Sequence, residues 1–369
     1  MSLERWAVRL ARSVERRIES ARGRDASEGA RQVIPYRGFG RASEVFVSGR
    51  VLSNPAPAPI DASDAWWRNV ASMFRHLESD EVAGARLRIS LAHTERHAVT
   101  DEEGFYRVWL APERPLPSTG LWHPVEIEVL EPLHTLATHV STSGLVLVPP
   151  PSARFGVISD LDDTVIRTDA TRLLPMLKRT FLENARTRLP FAGVAEFYGG
   201  LHLGDDGSEA NPVFYVSSSP WNLYPVLTEF LEFQTIPLGP LMLRDWGISE
   251  RGMLPTSHGE HKLGAIRQIL DCYPDMPFIL IGDSGQEDPE IYRDVVHQYQ
   301  GRIHAVYIRN VTTDPARARA IGELAEEVRS VGSELLLSDD TLAAAKHAAE
   351  RGWVGERTIG RVADVISSS

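Results

Sequence analysis

The chain has 369 residues, 43% of them hydrophobic and 24% charged, enough to bury the cores of two ordinary domains. A formal net charge of -11 excludes a general nucleic-acid binder, and a single cysteine, Cys272, excludes an intramolecular disulfide and fits a reducing compartment. No run of about 18 apolar residues is present, and the N-terminus lacks the apolar core of a signal peptide, so a cytoplasmic protein without a membrane span is expected.

Residues 2–24 predict a helix, with Leu3, Ala7, Leu10, Val14 and Ile18 at steps of three and four and Arg5, Arg9, Arg12, Arg16, Arg17 and Arg22 on the other faces. That stripe fits either an interfacial helix on anionic lipid or a helix docked on the neighbouring domain. Glu4, Glu15 and Glu19 dilute the positive face and favour docking. From about Tyr36 to Val148 the texture changes to short strands: Val45–Leu52, Leu87–Leu91, Phe105–Leu110, Val125–Leu130 and Gly144–Val148. One helix, Ser63–Leu77, interrupts them, and Thr100–Gly104 forms a turn. This pattern predicts a small β-sandwich-like domain, and the turn resembles those of transthyretin-like sandwiches. Pro149, Pro150 and Pro151 fit neither a central strand nor a helix interior, so the domain boundary is placed there. The predicted organisation is a helix and linker over 1–34, a sandwich-like domain over 35–150, and a third region over 151–369.

The third region alternates strand and helix. Strands are predicted at Phe155–Ser159, Val213–Ser217, Pro277–Gly282, Ile303–Ile308 and Glu334–Leu337. Helices are predicted at Thr171–Arg186, Tyr224–Phe233, His261–Leu270, Pro315–Arg329 and Asp340–Arg351. Short apolar strands separated by helices predict an α/β fold with a doubly wound, Rossmann-like parallel sheet, whose ligands bind at the carboxyl ends of the strands. Chemistry is therefore expected in the residues just past each strand.

After the first strand comes Asp160-Leu161-Asp162-Asp163-Thr164-Val165. Of two carboxylates facing one crevice, one can attack phosphorus and the other can exchange protons with the leaving oxygen and with water. A calcium loop begins with similar spacing, but Val165 stands where it needs glycine and no helix precedes. After the second strand, Ser217 and Ser218 offer a hydroxyl and backbone N–H groups to phosphate as a helix begins, or simply cap that helix. Lys262, at a helix start, can neutralise phosphate and nucleophile together. After Phe278–Ile281 comes Gly282-Asp283-Ser284-Gly285-Gln286-Glu287-Asp288, an oxygen-rich turn suited to Mg²⁺. Arg167, Arg244 and Arg309 lie near the strand ends as phosphate ligands or salt-bridge partners, with Arg309 read as a salt bridge.

Each element alone is ambiguous. In order, Asp-x-Asp-x-Thr, Ser, Lys and Gly-Asp-x-x-x-x-Asp resemble the four motifs of haloacid-dehalogenase-superfamily phosphatases. The strings Tyr215–Tyr224 and Ile281–Tyr292 resemble the App1 family, whose catalytic domain is known as a phosphatidate phosphatase domain. Leu189–Val194, Leu243–Trp246, Val306–Arg309 and, in the first domain, Gly49–Leu52 fit it too.

The resemblance implies Asp160 as nucleophile, forming an aspartyl-phosphate, and Asp162 as general acid and base. It implies Mg²⁺ held by Asp160, the Asp162 carbonyl and Asp283, with Asp288 touching the metal or its waters. Ser217 would bind phosphate and Lys262 would stabilise the transferring group. Ser218 competes with Ser217, and Glu287 with Asp288. The implied substrate is phosphatidate or a related lipid phosphate, with peripheral membrane contact through the N-terminal helix. The alternatives are a soluble or protein-bound phosphomonoester, or a membrane- or protein-binding module led by the first domain. Only about fifty residues separate Val165 from Val213, which predicts a small helical cap or none. Trp221, Tyr224 and Trp246 near the site are read as core packing before acyl contacts.

Overall fold

The computed structural model describes residues 29–53, 81–134, 139–161, 191–244 and 258–368. The predicted helices at 2–24, 63–77 and 171–186, together with Asp162, Arg167 and Trp246, lie outside the described residues.

Seven strands form the first sheet: β1 (Gln32–Arg41), β2 (Glu44–Leu52), β3 (Arg86–Leu91), β4 (Thr94–Val99), β5 (Phe105–Leu110), β6 (Trp122–Glu131) and β7 (Val140–Leu147). Their order is β4-β3-β6-β7-β1-β2-β5, antiparallel throughout except where β1 runs parallel to β7. The expected sandwich is instead one sheet, curled until its edge strands β4 and β5 meet. Alternation along a strand reports that one face is buried, as Leu87, Ile89 and Leu91 are, but a sandwich and a barrel both require that. At the β4–β5 turn Asp101 Oδ1 accepts from the backbone N–H of Glu103 (3.1 Å) and Phe105 (2.8 Å), an Asx-type closure.

The second sheet is wholly parallel. Its strands are β8 (Gly156–Asp160), β9 (Val213–Pro220), β10 (Leu241–Arg244), β11 (Phe278–Asp283), β12 (Ile303–Arg309) and β13 (Glu334–Ser338), in the order β10-β9-β8-β11-β12-β13. Helices α1 (Val194–Leu203), α2 (Tyr224–Phe233), α6 (Thr341–Glu350) and α7 (Glu356–Ser368) cover one face. Helices α3 (His258–Cys272), α4 (Asp288–Gln298) and α5 (Pro315–Ser330) cover the other. With both faces covered, the strands are buried runs such as Phe278-Ile279-Leu280-Ile281 rather than alternating ones. The chain leaves β8 toward β9 on one side and returns to β11 on the other. The order therefore reverses between β8 and β11, and the crevice outside their carboxyl ends is the topological switch point.

The two sheets share their cores. Phe39 of β1 packs edge-on against Phe214 of β9 (centroids 6.0 Å apart), and Gly40 donates its N–H to the Tyr273 hydroxyl at 3.1 Å. Pro149–Pro151 lie between β7 and β8.

Candidate active site at the switch point

Asp160 is the last residue of β8, a strand buried over its whole length. Leu161 donates its N–H to Val216 O at 3.1 Å, holding the chain against β9 as it leaves the sheet. Asp283 ends the adjacent β11, and Asp288 opens α4 five residues later. The carboxylate oxygens of Asp160, Asp283 and Asp288 lie within 4.8 Å of one another, and all three residues are buried.

Lys262 reaches this cluster from the first turns of α3. Its ammonium is buried, stands 2.7 Å from Asp160 Oδ1 and also pairs with Asp288 Oδ1. Burial alone would pull its pKa down, but the Asp160 and Asp288 carboxylates outweigh burial and hold it well above the ordinary lysine value. Lys262 is therefore a fixed positive charge.

Backbone and side chains lock the carboxylates in place. Asp283 Oδ1 accepts from Gly285 N (2.6 Å) and Gln286 N (3.2 Å), while Asp288 Oδ2 accepts from Asp283 N at 3.1 Å. Gly282 is required here, because a Cβ would stand 2.5 Å from Asp288 Oδ2 and 2.7 Å from the Tyr292 ring. The Tyr292 hydroxyl donates to Ile281 O at 2.9 Å, and burial keeps it protonated for that task.

Of the sequence-predicted residues, Asp160, Asp283, Asp288 and Lys262 come together. Asp288, not the exposed Glu287, supplies the third carboxylate. Ser217 follows Val216, the residue paired with Asp160 across the sheet. Its hydroxyl accepts from Ser219 N at 3.0 Å, and Ser217 and Ser218 are both buried. Asp162 lies outside the described residues. Arg309 departs from its reading as a salt bridge: its guanidinium lies 4.1 Å from the Phe191 ring centroid and donates to Thr341 Oγ1, with no carboxylate at ion-pair distance among the described residues. Trp221 and Tyr224 pack on Tyr36 of the first sheet, with centroids 4.4 Å apart in each case. Burial pushes the Cys272 thiol up to about 11, which leaves no reactive thiolate at neutral pH.

Two supports escaped the sequence reading. Ser159 Oγ donates to Asp160 O at 2.7 Å, so Tyr198, whose hydroxyl lies 2.7 Å away, is the donor in the second bond of that buried chain. Arg317, in the first turn of α5, donates from Nε to Ser284 O (2.9 Å) and from Nη2 to Gln286 O (2.6 Å), and pairs with Glu290. It thereby grips the turn that carries Asp283 and Asp288. No local pattern marks either residue, since each acts over about thirty positions or more of sequence.

Comparison with known proteins matches the part of the chain that carries this cluster. Residues 155–310 match the family model described as phosphatidate phosphatase APP1, catalytic domain. The chain is 33% identical over 155 residues to phosphatidate phosphatase APP1 of Saccharomyces cerevisiae, covering 42% of this chain and 25% of that protein. It is 29% identical over 161 residues to an uncharacterized protein of Schizosaccharomyces pombe, covering 43% of this chain and 25% of that one. The chain thus spans about a quarter of the length of the curated relatives it matches. A β-glucuronidase structure from Parabacteroides merdae aligns over 84% of this chain and 40% of its own at 8% identity and a TM-score of 0.25, a likeness too slight to speak to the fold. The stretch similar to the APP1 catalytic domain, residues 155–310, is the one that holds Asp160, Ser217, Lys262, Asp283 and Asp288.

Proposed function

We propose that this chain is a Mg²⁺-dependent phosphatase of the haloacid-dehalogenase type, hydrolysing phosphatidate or a related lipid phosphate through an aspartyl-phosphate. The observation that carries the reading is the set of three buried carboxylates and one buried ammonium gathered at the switch point. That set fits a divalent cation. One ammonium against three carboxylates leaves two negative charges in a site removed from water, and hard oxygen donors suit Mg²⁺. Asp160, Asp283 and Asp288 would hold it. When bound, the ion supplies Lewis-acid polarisation of the phosphoryl oxygens and relieves their repulsion from the carboxylates.

The chain's own residues supply the remaining steps. Asp160 Oδ attacks phosphorus, and the ester oxygen leaves with a proton from Asp162. Asp162 then takes a proton from water, whose oxygen attacks the phosphoryl group, releasing orthophosphate and restoring the Asp160 carboxylate. Lys262 neutralises Asp160 and the incoming phosphate together, and Ser217 or Ser218 takes phosphoryl oxygens with hydroxyl and backbone N–H. The lipid class of the substrate rests on the relationship to the yeast enzyme.

Orthophosphate release is measured from phosphatidate in mixed micelles and from a water-soluble phosphomonoester. Release from phosphatidate is expected, with loss in EDTA and in Asp160→Asn. Undiminished turnover in that variant sinks the mechanism, and turnover confined to the soluble ester sinks the lipid assignment.

A further inference from the structure

We propose that the first sheet is a working part of the phosphate site, with Arg50 and Tyr36 positioning the serine turn at the end of β9; this rests on the phosphatase reading above. Beyond Ser217, Ser218 and Ser219 the chain passes Pro220 into a single 3₁₀ turn, Trp221–Leu223, and then into α2. The first sheet grips each step of that path. The Tyr36 ring stacks on Trp221 with centroids 4.4 Å apart and planes 19° apart. Arg37 N donates to the Tyr224 hydroxyl at 2.7 Å, and Arg37 Nη1 donates to Thr228 Oγ1 at 3.2 Å. Between them, Arg50 Nη1 donates to Asn222 Oδ1 at 2.5 Å; arginine has no acceptor, so the amide must present its oxygen.

Arg50 is built for this contact. It is only 6% exposed, and burying a guanidinium is costly unless its donors are met. Three groups of its own unit fix the plane: Nε donates to Glu103 O (2.8 Å), Nη2 pairs with Glu81 Oε1 (2.7 Å), and the guanidinium lies 4.6 Å from the Phe105 centroid. The remaining Nη1 edge faces Asn222, three positions past Ser219. Gly49 completes the arrangement, because a Cβ there would stand 2.3 Å from the Tyr106 hydroxyl. The Gly49–Leu52 string thus gains a physical role. A rigid cation held by one unit sets the backbone that presents phosphate donors in the other, and a bent or slack turn would misaim those donors.

The test titrates orthophosphate into the full chain with Mg²⁺ present by isothermal calorimetry, a readout independent of turnover, alongside Tm and the Mg²⁺ concentration for half-maximal activity. Asn222→Ala and Arg50→Lys should each weaken phosphate binding about tenfold through misplacement alone while leaving half-activation by Mg²⁺ unchanged. Asn222→Asp, which keeps the acceptor oxygen, should bind phosphate as wild type does. The double variant Arg50→Lys/Asn222→Ala should be no weaker than either single one. If Arg50→Lys does not fold, Asn222→Ala decides alone. Wild-type phosphate affinity in folded Asn222→Ala, even with a lowered Tm, reduces the contact to domain glue and overturns the proposal. A wild-type chain that neither binds phosphate nor hydrolyses phosphomonoesters overturns the phosphatase reading and takes the clamp with it, whereas a wild type that does both beside unaffected variants overturns the clamp alone.

Discussion

Replacing Lys262 by methionine removes the ammonium that faces Asp160 and Asp288 and fills the same space with a side chain of similar length. Asp160 is 1% exposed and Asp288 0% exposed, so water cannot take over the lost charge interaction. Breaking a buried ion pair by deleting one partner typically costs about 3–5 kcal/mol, because the other charge stays buried and uncompensated. For a domain of about 150–250 residues each kcal/mol moves Tm by about 2–4 °C, so the variant should unfold about 6–20 °C below wild type when divalent ions are chelated. The same charge count has two more consequences. Mg²⁺ should raise the Tm of Lys262→Met by more than it raises that of wild type, since the cation then becomes the main counter-charge. Adding Asp288→Asn should recover part of the loss, because the two changes touch one another and do not add. Thermal unfolding followed by near-ultraviolet circular dichroism, with EDTA and with Mg²⁺, reads all three. A Lys262→Met protein that melts with wild type in EDTA would refute the reasoning, since the ammonium would then not be neutralising buried carboxylates.

Three other outcomes are expected. Gly282→Ala drives a Cβ to 2.5 Å from Asp288 Oδ2, so that carboxylate must shift and its bond from Asp283 N must lengthen. Overpacking of this kind costs about 1–3 kcal/mol, and a Mg²⁺ titration of activity should show half-activation about tenfold higher. Arg317→Lys keeps the charge but cannot span Ser284 O, Gln286 O and Glu290 at once, so half-activation by Mg²⁺ should rise while phosphate binding in saturating Mg²⁺ is retained. Glu290 has its pKa lowered, chiefly by hydrogen bonding from Arg317, so its stabilising contribution is present above its unfolded value near 4.5 and is lost as pH falls through the lower folded value. The Tm difference between wild type and Glu290→Gln, followed by scanning calorimetry, should accordingly be flat at neutral pH and vanish in acid; a difference that grows on acidification contradicts the assignment.

The second sheet was legible because its strands are buried on both faces and read as short apolar runs. The predicted helix Tyr224–Phe233 coincides with α2, and Pro315 opens α5 as a proline at a first helical position does. The failures have local causes. Helix α1 is hidden in the sequence by Gly199 and Gly200 in its middle, and β10 by its length, since four residues give too little pattern to count. The strand β4 alternates little, being exposed or half-buried along its length. The curled first sheet reads as a sandwich in the sequence because pairing partners, unlike alternation, leave no mark in one sequence. Asp160, Asp283 and Lys262 were found for the opposite reason. Each stands at a strand end or a helix start, where a parallel sheet must deliver its chemistry.

Residues that composition and spacing left silent complete the solution to a problem the visible ones create. Three buried carboxylates drawn within 4.8 Å of one another repel. The repulsion is met in two ways. Lys262 supplies the opposing charge inside the cluster, and Arg317 supplies restraint outside it by holding the carbonyls of Ser284 and Gln286 through Nε and Nη2. Arg50 stands to the serine turn as Arg317 stands to the aspartate turn: a half-buried or buried guanidinium from a distant element, committed to backbone carbonyls and amide oxygen rather than to substrate. Phosphoryl transfer asks for donors and carboxylates aimed to within fractions of an ångström. Loops at strand ends acquire that accuracy only when rigid neighbours hold them. The parallel sheet therefore fixes where the site lies, and the two arginine grips fix how sharply it is aimed. Loss of aim, rather than loss of fold, is the expected signature of changes at either one.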